Sequence, residues 1–118
     1  MPREFGRNKR VSDLIQRELA GRMQRELEPA RFGLVTVSTV NVSPDLSQAL
    51  IYVTNIGGSL SSKELEHELN GMAGHFRHFL STVLYLRSVP RLHFKYDASI
   101  ERGSRLTALI DSLGKNEQ

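Results

Sequence analysis

Apolar residues recur along this chain with two periods, three to four residues in some stretches and two in others, which separates predicted helices from predicted strands. Val11, Leu14, Ile15, Leu19, Met23 and Leu27 mark a first helix from about Arg10 to Leu27, with arginines and glutamates on its other face. Glu28-Pro29 ends it, because a residue before proline is pushed out of the helical region. Leu34 to Val42 is dense in valine and threonine and predicts a strand. Its alternation slips one step between Val37 and Val40, as a bulge would require. Ser43-Pro44-Asp45 supplies turn chemistry and Gln48 to Asn55 a second strand, so the two should pair as an antiparallel hairpin.

A second helix is predicted from Ser62 to about Thr82. Ser61 and Glu64 have capping-box spacing, and Leu65, Leu69, Met72, Phe76, Phe79, Leu80 and Val83 form its core stripe. Gly71-Met72-Ala73-Gly74 interrupts this helix. Two glycines in a helix interior forfeit roughly 2 kcal/mol relative to alanine, so something should compensate. Close packing of a neighbouring element is one explanation. A kink or tight turn at Gly71, Met72, Ala73 and Gly74 that lets a phosphate approach the backbone is the other. On the second, alanine at a glycine that holds the kink or turn should destabilise the fold or weaken binding. Further on, Leu92, Phe94 and Tyr96 alternate with Arg91, His93 and Lys95, a strand with one basic face turned away from the core. Leu106, Leu109, Ile110 and Leu113 predict a short C-terminal helix that Gly114 can end.

The pattern gives an α+β fold with one domain over 10–113, a basic arm at 1–9 expected to fray, and a tail at 114–118 expected to be disordered. A chain of 118 residues, 39% hydrophobic, suffices for one modest core. Formal net charge is +3, and arginine outnumbers lysine twelve to four, which suits phosphate forks and base stacking. Distribution matters more than the total. No acidic residue lies between Glu68 and Asp97, whereas Arg77, Arg87, Arg91 and Lys95 do, with His75, His78 and His93. These four cations, helped by Arg7, Lys9 and Arg10, are the candidate phosphate contacts.

Cysteine is absent, which removes disulfides, thiolate metal sites and cysteine nucleophiles and fits a cytoplasmic location. No apolar run approaches the roughly 20 residues needed to span a bilayer, so no membrane partner is expected. Gly57-Gly58-Ser59 lacks the lysine of a phosphate-binding NTPase loop. His75 and His78 stand three apart, and His67 precedes them, but no HExxH occurs and no carboxylate lies between His75 and His93. Asp45 and Asp97 sit beside turn-forming residues and suit backbone capping better than catalysis. No catalytic residue, metal ligand or cofactor is therefore assigned, and an enzyme is not expected.

Helix, strand, strand, interrupted helix, strand is the element order of a type II KH domain, an RNA-binding module whose GxxG segment clamps the nucleic-acid backbone. Gly71-Met72-Ala73-Gly74 spells that segment. A longer likeness runs through Arg10-Val11, Val35-Thr36-Val37, Val40-Asn41-Val42-Ser43, Asp45-Leu46, Ala49, Tyr52-Val53-Thr54, Gly74, Arg77, Leu86-Arg87, Val89-Pro90, Leu92-His93-Phe94 and Tyr96-Asp97. On these residues the chain, from about Glu4 to Leu113, resembles the bacterial ribosome-binding factor A family. The resemblance implies a KH-like, non-enzymatic assembly factor, monomeric, that binds the free 30S subunit and 16S rRNA. It further implies a part in late maturation, including 5′-end processing of 16S rRNA, in growth in the cold, and alongside assembly GTPases. In that family an Ala-x-Gly helix kink replaces the GxxG loop. Here Met72 stands at the alanine position, so Gly71 allows either a kink or an open turn. Since the family's glycine falls at Gly74, the resemblance implies that Gly74→Ala destabilises the fold or weakens subunit binding while Gly71→Ala is nearer neutral. The alternative is a general KH-type RNA-binding or protein-interaction module not specific to ribosomes.

Overall fold

The computed structural model describes residues 2–99, with side chains from Gly6 onward. The expected C-terminal helix and tail lie outside the described residues. The helix α1 spans Pro2–Glu26, a four-residue α2 spans Pro29–Phe32, and strands β1 (Leu34–Val42) and β2 (Gln48–Ile56) follow. The interrupted helix is two helices, α3 (Ser62–Gly71) and α4 (Ala73–Val83), and β3 is Arg91–Tyr96. The sheet order is β1-β2-β3, with β1 antiparallel and β3 parallel to β2.

The helix expected from about Arg10 starts earlier, because α1 begins at Pro2 and carries Arg7, Lys9 and Arg10 on its exposed side. Arg3 to Arg10 holds no proline and Gly6 costs only about 1 kcal/mol, so the helix set by the apolar stripe from Val11 onward extends backward through polar residues. α2 was not foreseen. Its signals are Pro29 at the first helical position and Gly33 just beyond the end, the asymmetry that short helices use.

The core lies between the helices and one face of the sheet. Val11, Ile15, Leu19, Met23 and Leu27 of α1 and the turn after it meet Val35, Val37 and Val40 of β1, Ala49, Ile51 and Val53 of β2, and Leu92 and Phe94 of β3. Leu65, Leu69, Phe76 and Leu80 complete it from α3 and α4. Val83 belongs to the surface and Leu84 to the core, because α4 ends at Val83 and the extended backbone at Leu84 turns the next side chain inward. The expected bulge lies between Val37 and Thr39. Its unpaired carbonyls are taken by α1, whose Gln16 amide donates to Val37 O at 3.1 Å and Ser38 O at 3.4 Å.

The capping box forms as expected. Glu64 N donates to Ser61 Oγ at 3.2 Å and Ser61 N to Glu64 Oε1 at 2.9 Å. At the interruption the helical bonds persist, with Met72 N donating to Glu68 O and Phe76 N to Met72 O. Met72 at φ −99°, ψ 5° is the kink, and no open GxxG loop exists. Neither Gly71 nor Gly74 has positive φ, and a Cβ built on either meets nothing within 4 Å. The expected steric cost of Gly74→Ala is thus corrected. The glycines that the backbone requires are Gly33 and Gly58, at φ 72° and 80°. A Cβ on Gly33 would stand 2.5 Å from Ile56 O, and one on Gly58 would stand 2.6 Å from the carbonyl carbon of Phe32.

Alanine at Gly33 or Gly58 is therefore expected to destabilise the protein by about 3 kcal/mol or more. Gly71→Ala and Gly74→Ala should each stabilise it by up to about 1 kcal/mol. Urea unfolding of the four single variants checks this, and a Gly74→Ala midpoint below wild type would contradict it.

Candidate nucleic-acid interface

The sheet's second face carries no helix among the described residues. Register sets Asn41 beside Leu50 and Leu50 beside His93, and Thr39 beside Tyr52 and Tyr52 beside Lys95, with Gln48 next to Arg91. The alternation of β3 buries Leu92 and Phe94 and exposes Arg91, His93 and Lys95, as expected. His93 Nε2 lies 2.7 Å from Gln48 Oε1, which orients the ring across the strands. Two shallow grooves run over this face. One, of about 430 Å³, is lined by Thr39, Tyr52, Lys95 and the segment 96–99, and the other, of about 440 Å³, by Asn41, Gln48, Leu50 and His93 among others.

The remaining candidate cations stand elsewhere. Lys9 lines a groove of about 420 Å³ between α1 and β1, and it pairs with Asp13 at 3.8 Å. Thr39 lines both this groove and the Lys95 groove, so they meet at the bulged part of β1. Arg77 and Arg87 come together in a further groove of about 430 Å³, with Gly74, His78 and Ser81 on the α4 side and Leu86, Ser88 and Val89 opposite. Arg77 is not an unengaged phosphate ligand. Its Nε donates to Val89 O at 3.0 Å, holding the segment after α4 against that helix. Arg87, Arg91 and Lys95 are exposed and have no ion pair among the described residues. The structure therefore sets the seven cations in three groups: Arg77 with Arg87, Arg91 with Lys95, and Arg7, Lys9 and Arg10 along α1.

The stretch free of acid in sequence is not free of it in space. Glu26 of α1 pairs with His75, and Glu66 accepts from Tyr96 N at 2.9 Å. Arg22 also donates to Glu26 at 2.7 Å and stacks over the Phe79 ring at 4.8 Å, so this corner joins α1 to α4. Among the described residues no three His, Asp or Glu side chains converge on a metal position. One aromatic that sequence reasoning passed over is Tyr85, fully exposed two residues before Arg87. Its signal was present, since it breaks the apolar stripe directly after the helix ends.

Asp45 and Asp97 cap turns as expected. Asp45 Oδ1 accepts from Ser47 N, Ser47 Oγ and Ser43 Oγ, at 3.1, 2.7 and 2.7 Å. Asp97 accepts from Ser99 N at 3.0 Å, from Ser99 Oγ, and from Ser38 Oγ at 2.7 Å, which ties the bulge to the end of β3. The Ser47 hydroxyl holds the Asp45 carboxyl below the usual range, the Ser99 hydroxyl does so for Asp97, and the Ser61 backbone amide for Glu64.

A carboxyl whose folded pKa is lowered binds fewer protons folded than unfolded. Its stabilisation is complete above the unfolded value and is lost as pH falls through the folded one. Stability should accordingly hold above about pH 5 and decline below about pH 4. Asp97→Asn should make that decline shallower in urea titrations across this range, and an unaltered profile would reject the assignment. Arg77→Gln leaves Val89 O without its charged donor and should cost about 1.5–3 kcal/mol, whereas Arg87→Gln should change stability by less than about 0.5 kcal/mol. Equal losses in the two variants, read from urea midpoints, would contradict the division of roles.

Comparison with known proteins bears on the same residues. A family model described as Ribosome-binding factor A matches residues 7–110. The chain is 52% identical over 117 residues to Ribosome-binding factor A of Nitrosococcus oceani, which covers 99% of this chain and 92% of that protein. It is 47% identical over 112 residues to that of Alkalilimnicola ehrlichii, covering 94% and 86%. Among solved structures it is similar to the crystal structure of ribosome-binding factor A from Thermus thermophilus, with a TM-score of 0.67 and 26% identity, over 75% of this chain and 93% of that one. It is also similar to the Thermus thermophilus ribosome binding factor A fitted into a cryo-EM map of a 30S complex, with a TM-score of 0.63 and 27% identity, over 74% and 92%. With the KH-like order of elements, the kinked α3–α4 pair and this match over nearly its whole length, the chain belongs to the ribosome-binding factor A family.

Proposed function

We propose that this protein binds the small ribosomal subunit through its 16S rRNA and acts without catalysis in the subunit's late assembly, including maturation of the 16S 5′ end and growth in the cold. The observation that carries the reading is the face of the sheet that bears no helix among the described residues, with Arg91, His93 and Lys95 exposed along one strand, in a chain of this family. The relative fitted into a map of a 30S complex supports the choice of subunit. Phosphates are met by Arg87, Arg91 and Lys95, with Arg7, Lys9 and Arg10 on α1 and a smaller share from the engaged Arg77. The protein acts in the cytoplasm as a monomer, and assembly GTPases are its further partners. No helix among the described residues is long and apolar enough to cross a membrane.

The chain should co-sediment with small subunits and not with mature large ones, and equal capture by both at moderate salt would overturn the reading. Neutralising about four to six phosphates should give a log–log salt slope between about −3 and −5. Replacing Arg87, Arg91 and Lys95 together by glutamine should flatten the slope by about 2 to 3. A flat response in the wild type would exclude phosphate contacts as the source of affinity. A general protein-interaction module would instead show capture that survives ribonuclease treatment.

A further inference from the structure

Tyr85 has a relative exposure of 106%, the highest of the large apolar side chains among the described residues, and stands in the segment that follows α4. One exposed aromatic is ordinary by itself, but a tyrosine ring with both faces in water keeps a large π surface free, here two residues from the exposed Arg87. The backbone that carries the ring is nevertheless held on both sides. Leu84 N donates to Leu80 O at 2.9 Å and the Leu84 side chain is buried, while Val89 and Pro90 are buried beyond and Arg77 grips Val89 O. The ring thus stands on an anchored support, so binding a partner there loses little entropy in ordering the segment.

The surroundings decide what kind of partner fits. The residues that follow Tyr85 close a groove against α4, lined by Arg77, Arg87, His78, Ser81 and Leu86, and no carboxylate lines it. Among the described residues the exposed large apolar side chain next to it in sequence is Val83, at 37%, with Ser81, Thr82, Arg87 and Ser88 also exposed. Two guanidinium groups with no carboxylate among them favour a polyanion over a protein surface of mixed charge. One π face beside cations matches a nucleotide, whose base stacks on the ring while its phosphate meets guanidinium groups. Bases inside a duplex are already stacked, so the base must be unpaired.

We propose that Tyr85 is a stacking platform for an unpaired base of RNA, with Arg87 and the adjoining groove receiving the neighbouring phosphate. The proposal rests on the RNA-binding reading above and adds a strand-state preference to it. The chain contains no tryptophan, so Tyr85→Trp places a single reporter at the position. Emission of this variant should be quenched by a single-stranded oligoribonucleotide and by protein-free 16S rRNA, and not by a duplex of the same composition. Tyr85→Ala should weaken single-strand binding by roughly fivefold to a hundredfold, and Tyr85→Phe should leave it unchanged. The salt slope should be preserved in Tyr85→Ala and reduced by about 0.7 to 0.9 in Arg87→Gln. Because the Tyr85 ring is fully exposed, circular dichroism of the variants should match wild type.

Salt-dependent RNA binding that is equal in wild type and Tyr85→Ala, without quenching of the tryptophan, overturns the platform and leaves the RNA-binding reading intact. Failure of the wild type to bind RNA in any form removes that reading and the platform with it. Loss of capture by small-subunit particles in Tyr85→Ala, with unchanged binding to protein-free rRNA, would assign the ring to a protein contact and reject the proposal.

Discussion

The carboxamide of Asn70 holds both backbone groups of Phe94, accepting from its N–H at 2.8 Å and donating to its carbonyl at 2.9 Å. β3 is an edge strand, parallel to β2, and its outward backbone groups need partners that no fourth strand among the described residues supplies. Asn70 serves as a strand in miniature, and Glu66 one turn earlier accepts from Tyr96 N. This pins α3 along the edge of the sheet. A straight continuation would remain committed to that line, so the helix bends at Met72 and α4 brings Phe76 and Leu80 into the core, where Phe76 meets Phe94 edge to face at 6.0 Å. The kink is thus a consequence of closing one edge and covering one face with a single run of helix. The glycines at its flanks lower the stiffness of that run and hold no special backbone angle.

Among the described residues the same arrangement leaves the other face open. With α1 against β1 and α3 and α4 against β3, the long helices are all committed to the buried side. The β3 alternation then places Arg91, His93 and Lys95 in water beside Tyr52 and Leu50, with no acid in the same rows. Acidic residues are instead held at corners that join elements, Glu26 at the α1–α4 contact and Asp97 at the bulge. Asp97 lines the Lys95 groove with its carboxylate engaged by Ser38 and Ser99, and the α4 groove carries no carboxylate, as contact with a polyanion requires.

Much of this was legible in the residues. Period alone located three strands and the core stripes of α1, α3 and α4, because burial on one face imposes apolar spacing whatever the neighbour is. Ser61 and Glu64 announced their helix start, the slip after Val37 announced the bulge, and Asp45 and Asp97 announced their turns, since each depends on partners only a few residues away or on its own local spacing. The outward direction of Arg91, His93 and Lys95 followed from the inward direction of Leu92 and Phe94.

What tertiary structure decided was every relation between distant residues. Gly71 and Gly74 looked like the costly glycines, yet the conformation that excludes a side chain occurs at Gly33 and Gly58, where two loops pass at contact distance. No local pattern records that approach. Arg77 looked like a phosphate ligand until the fold brought Val89 O to its guanidinium, and His75 lay in an acid-free stretch until α1 delivered Glu26. A sequence displays the charge and size of each side chain, and so determined which residues seek the core and which seek water. Which polar groups are already satisfied by the protein, and which still face outward for a partner, depends on distances that exist only once the chain has closed on itself.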